Sequence, residues 1–119
     1  RGLVPFTVWG TSDTGTNDDA KRHLMSLFPD KEVFDTPKPE ALLERVIRIA
    51  TNPGDIVLDS FLGSGTTSAV AHKMGRRWIG IESGDHARTL CQQRLAKVVD
   101  GEQGGVSETL GWLGGGGFR

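Results

Sequence analysis

A glycine-rich loop between two apolar segments constrains this chain more than any other feature of its sequence. The run 56–58, Ile-Val-Leu, is apolar throughout, which is typical of a strand buried on both faces of a parallel sheet. The loop that follows contains Gly63 and Gly65, where the missing Cβ lets the backbone turn sharply and approach a ligand closely. A helix is predicted to begin at Thr66, and its free N–H groups suit a carboxylate or a phosphate.

The neighbouring segments extend this pattern into an α/β unit. Leu43, Ile47 and Ala50 recur at helical spacing before the strand, and Asn52-Pro53-Gly54 ends that helix. The predicted helices cover about 17–28, 39–50, 66–74 and 86–99, and the predicted strands cover 56–58 and 78–81. Strand, helix, strand and helix in this order predict a βαβα unit with a parallel sheet.

The two ends of the chain carry weaker patterns. Val4, Phe6 and Val8 alternate with other residues, which predicts a short strand, and a further strand is expected in the tail. We expect a fragment of a longer protein, because the sequence starts at Arg1 and contains no tyrosine. The expected divisions are a linker and helix over 1–35, an α/β region over 36–100 and a glycine-rich tail over 101–119.

Charge and cysteine content argue against several classes of protein. The 119 residues suffice for one small domain, and 14 Lys and Arg residues against 15 Asp and Glu residues give a formal net charge of −1. That balance argues against a free-standing electrostatic binder of nucleic acid. No apolar run is long enough for a membrane span, and the single Cys91 has no disulfide partner. We expect a cytoplasmic protein without a metal site or a membrane partner.

Two carboxylates beside the loop define its expected chemistry. Asp59 ends the first strand, where open α/β sheets bind ligands, and Glu82 follows the second strand, where an acidic side chain accepts hydrogen bonds from ribose hydroxyls. The loop lacks the Lys of a P-loop, and Ser68 replaces the third Gly of a dinucleotide fingerprint. S-adenosylmethionine fits, because it carries a ribose, a carboxylate and an ammonium group for Asp59. An ordinary strand-to-helix turn is the alternative.

Three motifs resemble those of the amino-group DNA methyltransferases. The segment 59–67, Asp-Ser-Phe-Leu-Gly-Ser-Gly-Thr-Thr, is similar to the family's cofactor motif Asp-Pro-Phe-x-Gly-Ser-Gly-Thr-Thr. The segment 36–43, Thr-Pro-Lys-Pro-Glu-Ala-Leu-Leu, resembles the second cofactor motif, and Gly-Ile-Glu at 80–82 resembles the ribose-binding strand end. Residues 15–21, the run 33–35 and the tail 114–119 are most similar to the modification subunits of type III restriction systems.

This resemblance implies part of a Rossmann-like methyltransferase fold with S-adenosylmethionine as its cofactor. The implied cofactor-binding residues are Thr36, Lys38, Asp59, Phe61, Gly63, Ser64, Gly65, Thr66 and Glu82. Phe61 is alternatively a core residue, and the Lys38 segment is alternatively a plain entry into the following helix.

The family's catalytic motif, an acid or Asn followed by Pro-Pro and an aromatic residue, is absent, because no two of the five prolines are adjacent. We therefore assign no catalytic residue and expect the chain alone to be inactive. The resemblance implies that the parent protein methylates adenine N6. The alternatives are cytosine N4 methylation and a non-catalytic nucleotide- or dinucleotide-binding module. The implied partners are double-stranded DNA, a restriction subunit and a second copy in a homodimer.

Overall fold

A two-stranded parallel sheet and the helices around it make up the computed structural model, which describes residues 4–32 and 34–119. Strands β1 (Ile56–Asp59) and β2 (Arg77–Gly80) pair with Leu58 opposite Ile79. The helices are α1 (Thr11–Thr14), α2 (Asn17–Leu27), α3 (Glu40–Ala50), α4 (Thr66–Lys73), α5 (Gln92–Val99) and α6 (Ser107–Leu110). The predicted α/β class with a parallel sheet is confirmed.

Helix α2 begins at a complete N-terminal cap. The Thr16 hydroxyl accepts the N–H of Asp19 at 3.1 Å, and the Asp19 carboxylate accepts the N–H of Thr16 at 2.8 Å. Leu24 in this helix and Phe28 at its C-cap are buried together with Leu90. This contact holds α2 against the residues that precede α5.

Helix α4 is the centre of the core. Its residues Ala69, Val70 and Ala71 have no exposed surface. On one side the helix packs against Ile47 of α3, and on the other against Leu95 of α5. The small side chains on α4 let the helix lie close to its neighbours, so the N-terminus of α4 is held rigidly at the end of β1.

The sheet has one covered and one open face. Val57 and Trp78 pack against the core that includes α4. On the other face, the exposed fraction is more than half for each of four apolar side chains, those of Ile56, Leu58, Ile79 and Ile81. The prediction that the first strand is buried on both faces is wrong for the described residues, because nothing among them covers this second face.

The prediction of a strand near the start of the chain is also wrong for residues 4–10. These residues form no strand, and Val4, Phe6 and Val8 are each more than 80% exposed. A strand needs a hydrogen-bonding partner along its length, and residues 4–10 pair with neither β1 nor β2. Residues 1–3 of this prediction, and Val33 of the 33–35 motif, lie outside the described residues.

The tail forms a short helix and an irregular segment in place of the expected strand. Gly114, Gly115 and Gly116 have φ values of 97°, 118° and 75°, which are incompatible with a regular strand. The segment nevertheless packs on the domain, since the Trp112 indole donates a hydrogen bond to the Val98 carbonyl at 2.8 Å. None of the helices in the described part of the chain has the length and apolar character needed to cross a membrane.

The predicted helix over 86–99 contains a change of helical type. Residues Ala87–Cys91 form a π-helix that leads directly into α5. Hydrophobic spacing alone does not distinguish this wider turn from an α-helix, although π-helical turns recur at functional sites. At its end the Cys91 thiol donates a hydrogen bond to the Gly63 carbonyl, with 2.9 Å between the two heavy atoms.

We expect the isolated chain to self-associate through the open sheet face, because a contiguous apolar surface and an unpaired strand edge both favour association. Light scattering at tens of micromolar should give a mass above that of one chain. The paired substitutions Leu58→Lys and Ile79→Glu should shift the mass towards the monomer, whereas Met25→Lys on α2, also an exposed apolar position, should not. A monodisperse wild-type monomer with a cooperative melt would contradict this expectation.

Candidate cofactor-binding site

A cavity of about 420 Å³ opens between the loop after β1 and the segment before α3. This volume is within the usual range for small-molecule sites, roughly 300–1,000 Å³. Seven of the predicted site residues line it: Thr36, Lys38, Asp59, Phe61, Gly63, Ser64 and Thr66. Gly65 does not line it, and Glu82 lines a separate cavity of about 240 Å³ that shares Leu62 with it. The fold therefore brings together two segments that are separated by β1 and α3 in the sequence.

The loop owes its shape to two glycines in left-handed conformations. Gly63 has φ 58° and Gly65 has φ 82°, a region that other residues enter only with strain. A Cβ added at Gly65 would lie 3.5 Å from the Cβ of Cys91 and would point away from the cavity. Gly65 is thus needed for the backbone turn into α4 and for the close packing of the loop on Cys91. The neighbouring residues Ser64 and Thr66 line the cavity.

Asp59 holds the start of the loop. Its Oδ1 accepts the Phe61 N–H at 3.0 Å, and its Oδ2 accepts the Thr67 hydroxyl at 2.6 Å. A carboxylate has about four acceptor positions, so capacity remains for a further donor. Asp59 is therefore able to stabilise the loop and to accept a hydrogen bond from a cationic ligand group.

Glu82 anchors the same loop from the end of the second strand. Its carboxylate accepts the Gly63 N–H at 2.8 Å and the Gly84 N–H at 3.0 Å, and His86 Nε2 lies 3.2 Å from it. The hydrogen bonds from Gly84, then from Gly63, lower the pKa of Glu82 to about 2. Glu82 is therefore a carboxylate at neutral pH, the form that accepts hydrogen bonds from hydroxyl groups.

The opposite wall of the cavity is tied to the loop by Thr66. The Thr66 hydroxyl donates to the Lys38 carbonyl at 3.1 Å. Pro37 and Pro39 on either side of Lys38 are buried, and their fixed φ angles stiffen this wall. The exposed Lys38 ammonium, whose Nζ lies 3.4 Å from the Thr36 carbonyl oxygen, leaves a positive charge at the cavity.

Two aromatic side chains, those of Phe61 and Phe34, line the cavity. Phe61 is 92% exposed, so the alternative that it is a core residue is wrong. Phe34 lines this cavity and also a neighbouring one of about 470 Å³, where its ring lies 5.2 Å from the His86 ring between centroids. The sequence analysis missed His86, because helical spacing alone does not show that a surface position contacts a loop from elsewhere in the chain.

A buried ionic cluster lies behind the site and was also missed. Glu40 accepts hydrogen bonds from Arg94 at 2.9 Å, from Lys73 at 2.8 Å and from the Val106 N–H at 3.0 Å. Burial opposes the charged form of Glu40, but the charges of Arg94 and then Lys73 outweigh it and lower its pKa. The nearby carboxylate of Glu102 also contacts Lys73, so this ammonium group lies between the two acidic side chains.

These features identify the chain as a member of a known enzyme family. A sequence profile of the N6/N4 DNA methylase family matches residues 1–93, so the chain belongs to this family. The resemblance described in the sequence analysis is thereby confirmed.

Two relatives and one solved structure show the extent of the similarity. The "Probable type III restriction-modification enzyme HindVI Mod subunit" of Haemophilus influenzae is 63% identical over 81 residues, which is 68% of this chain and 11% of that protein. The DNA adenine methyltransferase YhdJ of Escherichia coli is 44% identical over 116 residues, covering 88% of this chain and 36% of that protein. The chain thus spans about a third or less of the length of these relatives.

The solved structure is TTHA0409 of Thermus thermophilus, a DNA modification methylase by name, complexed with S-adenosyl-L-methionine. It is 29% identical, with a TM-score of 0.51, and the match covers 86% of this chain and 43% of that one. This similarity agrees with the predicted Rossmann-like methyltransferase fold.

Acid should destabilise the protein through the ionic cluster. Burial opposes ionisation of Glu102, but hydrogen bonds from His23 and Lys73 lower its pKa to about 2, from an ordinary value of 4.5. The folded state therefore binds this proton less readily than the unfolded state, and the stabilisation present above pH 4.5 is lost as the pH falls towards 2. Urea unfolding across this range should show a falling free energy of unfolding.

Substitution separates this effect from general acid sensitivity. Glu102→Gln should flatten the pH dependence, whereas Glu108→Gln at an exposed position of α6 should leave it unchanged. An identical pH profile for the wild type and the Glu102 variant would contradict the assignment.

Proposed function

We propose that this chain is the S-adenosylmethionine-binding part of a DNA methyltransferase that modifies adenine N6. The observation that carries the proposal is the cavity between the Thr36–Lys38 segment and the loop after β1. Both walls are the segments with the family's cofactor motifs. Adenine N6 is favoured over cytosine N4 because the relative YhdJ is named a DNA adenine methyltransferase. No observation favours a non-catalytic nucleotide-binding module.

The residues around the cavity fit the chemical groups of this cofactor. The Glu82 carboxylate suits the ribose hydroxyls, and Asp59 suits the methionine ammonium group. The N-terminus of α4, which begins at Thr66, and the Lys38 ammonium suit the methionine carboxylate. The exposed ring of Phe61 offers an apolar surface for the uncharged parts of the cofactor. Gly63, Ser64 and Gly65 shape the loop between these groups.

The contribution of this chain to the reaction is to bind and orient. When bound, the cofactor supplies an electrophilic methyl group on sulfur. In the parent enzyme the acceptor of this methyl group would be the amino nitrogen of adenine. The adenine must leave the duplex stack to reach the cavity. The residues that orient the amino group lie outside this sequence, since it contains no Pro-Pro-aromatic motif.

Partners of the parent protein follow from the same proposal. Double-stranded DNA is the substrate. A restriction subunit is proposed as a protein partner, because one relative is named a Mod subunit of a type III restriction-modification enzyme. A homodimer is proposed from the family resemblance, and the open sheet face described above is a separate, testable contact surface.

Conservative changes of the two carboxylates should weaken cofactor binding in the complete protein. Asp59→Asn and Glu82→Gln keep the size of each side chain but remove its charge, so each should raise the S-adenosylmethionine Kd by about tenfold to a hundredfold. Titration calorimetry measures this change. Arg45→Ala should leave Kd unchanged, because Arg45 lies against Trp9 and Asp13, outside the cavity. Unaltered binding in both carboxylate variants would place the cofactor elsewhere.

The 119-residue chain alone should transfer no methyl groups to DNA. It lacks the motif that orients the acceptor amino group, so excess cofactor does not compensate. The measurement is incorporation of radiolabelled methyl groups into DNA, with the complete protein as positive control and a reaction without protein as background. Incorporation above background by the chain alone would show that it contains catalytic residues that we have not identified.

A further inference from the structure

Arg94 connects the ionic cluster to the proposed cofactor cavity. Only 2% of its side chain is exposed, which is rare for arginine. One terminal nitrogen, NH2, donates to Glu40 at 2.9 Å. The other, NH1, donates to the Ser64 carbonyl at 3.1 Å and to the Thr66 hydroxyl at 3.0 Å. The planar guanidinium group of Arg94 thus binds the glycine loop and the first residue of α3 at the same time.

The Thr66 hydroxyl extends this connection to the other wall of the cavity. It accepts from Arg94 and donates to the Lys38 carbonyl at 3.1 Å. An arginine can only donate and a backbone carbonyl can only accept, so the direction of both hydrogen bonds is settled. Arg94 therefore reaches the Lys38 segment in two ways, through Thr66 and through Glu40, which lies two residues after Lys38.

We infer that Arg94 is a positioning residue that sets the separation of the two walls of the cofactor cavity. This inference rests on the proposed function. Arg94 does not line the cavity, so its effect on a ligand passes through Ser64, Thr66 and Lys38. Fixing these groups before the ligand arrives lowers the entropy lost on binding. Without Arg94 the loop loses its connection to Glu40, and the direct hydrogen bond from Thr66 to Lys38 is left to hold the two walls together.

Lys73 provides a matched control for a purely structural role. It is equally buried, carries the same charge and also donates to Glu40, at 2.8 Å. Its other partners are Glu102 and the Gly104 carbonyl, and none of these hydrogen-bond partners lines the cavity. Loss of either cation removes one charged hydrogen-bond donor from Glu40. Only the loss of Arg94 also removes hydrogen bonds to Ser64 and Thr66 in the cavity wall.

The test compares Arg94→Met with Lys73→Met in the complete protein. Both substitutions should lower Tm, because each leaves a buried charge less well compensated. Only Arg94→Met should raise the S-adenosylmethionine Kd, by about tenfold, because the less restrained walls must then be ordered when the cofactor binds. The KM for the cofactor should rise in parallel. An equal rise in Kd for both variants, or no rise for either, would overturn the inference.

Arg94→Lys keeps the experiment informative if Arg94→Met does not fold. A lysine at this position retains the charge for Glu40, but one ammonium group does not reproduce the bidentate spacing of a guanidinium. We expect a Tm near that of the wild type with a raised Kd. Lys73→Arg is the matched control and should bind as the wild type does. A wild-type Kd in a folded Arg94→Lys variant would overturn the inference.

The two proposals fail in different ways. If the wild-type protein shows no S-adenosylmethionine binding by calorimetry, the proposed function fails, and the role of Arg94 fails with it. If the wild type binds and the Arg94 variants bind equally well, only the inference about Arg94 fails.

Discussion

The carboxylate of Glu40 is the interaction on which the rest of this structure depends. It joins α3 to α4 through Lys73, to α5 through Arg94, and to the chain before α6 through the Val106 N–H. A buried carboxylate is costly unless its acceptor positions are filled, so these partners must be assembled together. The cluster therefore favours one arrangement of the helices, and the apolar packing around α4 stabilises that arrangement.

The loop after β1 combines rigidity with accessible polar groups. Three side chains hold its backbone: Asp59 at the start of the loop, Glu82 after the neighbouring strand β2, and Arg94 in α5. Each contact uses a charged partner for a backbone group, which makes it stronger than a hydrogen bond between neutral groups. The loop is thus shaped before a ligand binds, while Phe61 and the N-terminus of α4 remain open to one.

Local patterns predicted the part of the fold that depends on neighbouring residues. The strand predicted over 56–58 is Ile56–Asp59, and the helix predicted over 66–74 is Thr66–Lys73. The terminal strands were wrong because a strand exists only with a partner, which local alternation does not supply. The ionic cluster could not be predicted from the sequence, because Glu40 and Arg94 are 54 positions apart and no spacing rule pairs residues at that distance. The assignment of nine residues to the cofactor stays a prediction, although the fold places seven of them around one cavity.

The hydrogen bond between Cys91 and the Gly63 carbonyl has a consequence for the reactivity of the protein. Burial, followed by the negative charge of Glu82, raises the pKa of the Cys91 thiol to about 11. At neutral pH the sulfur is therefore protonated and a poor nucleophile. Because Cys91 is buried and its thiol is bonded to a loop carbonyl, alkylation of the sulfur requires this contact to break. The modification rate of the chain's single cysteine thus reports on the opening of the contact between the loop and the π-helix.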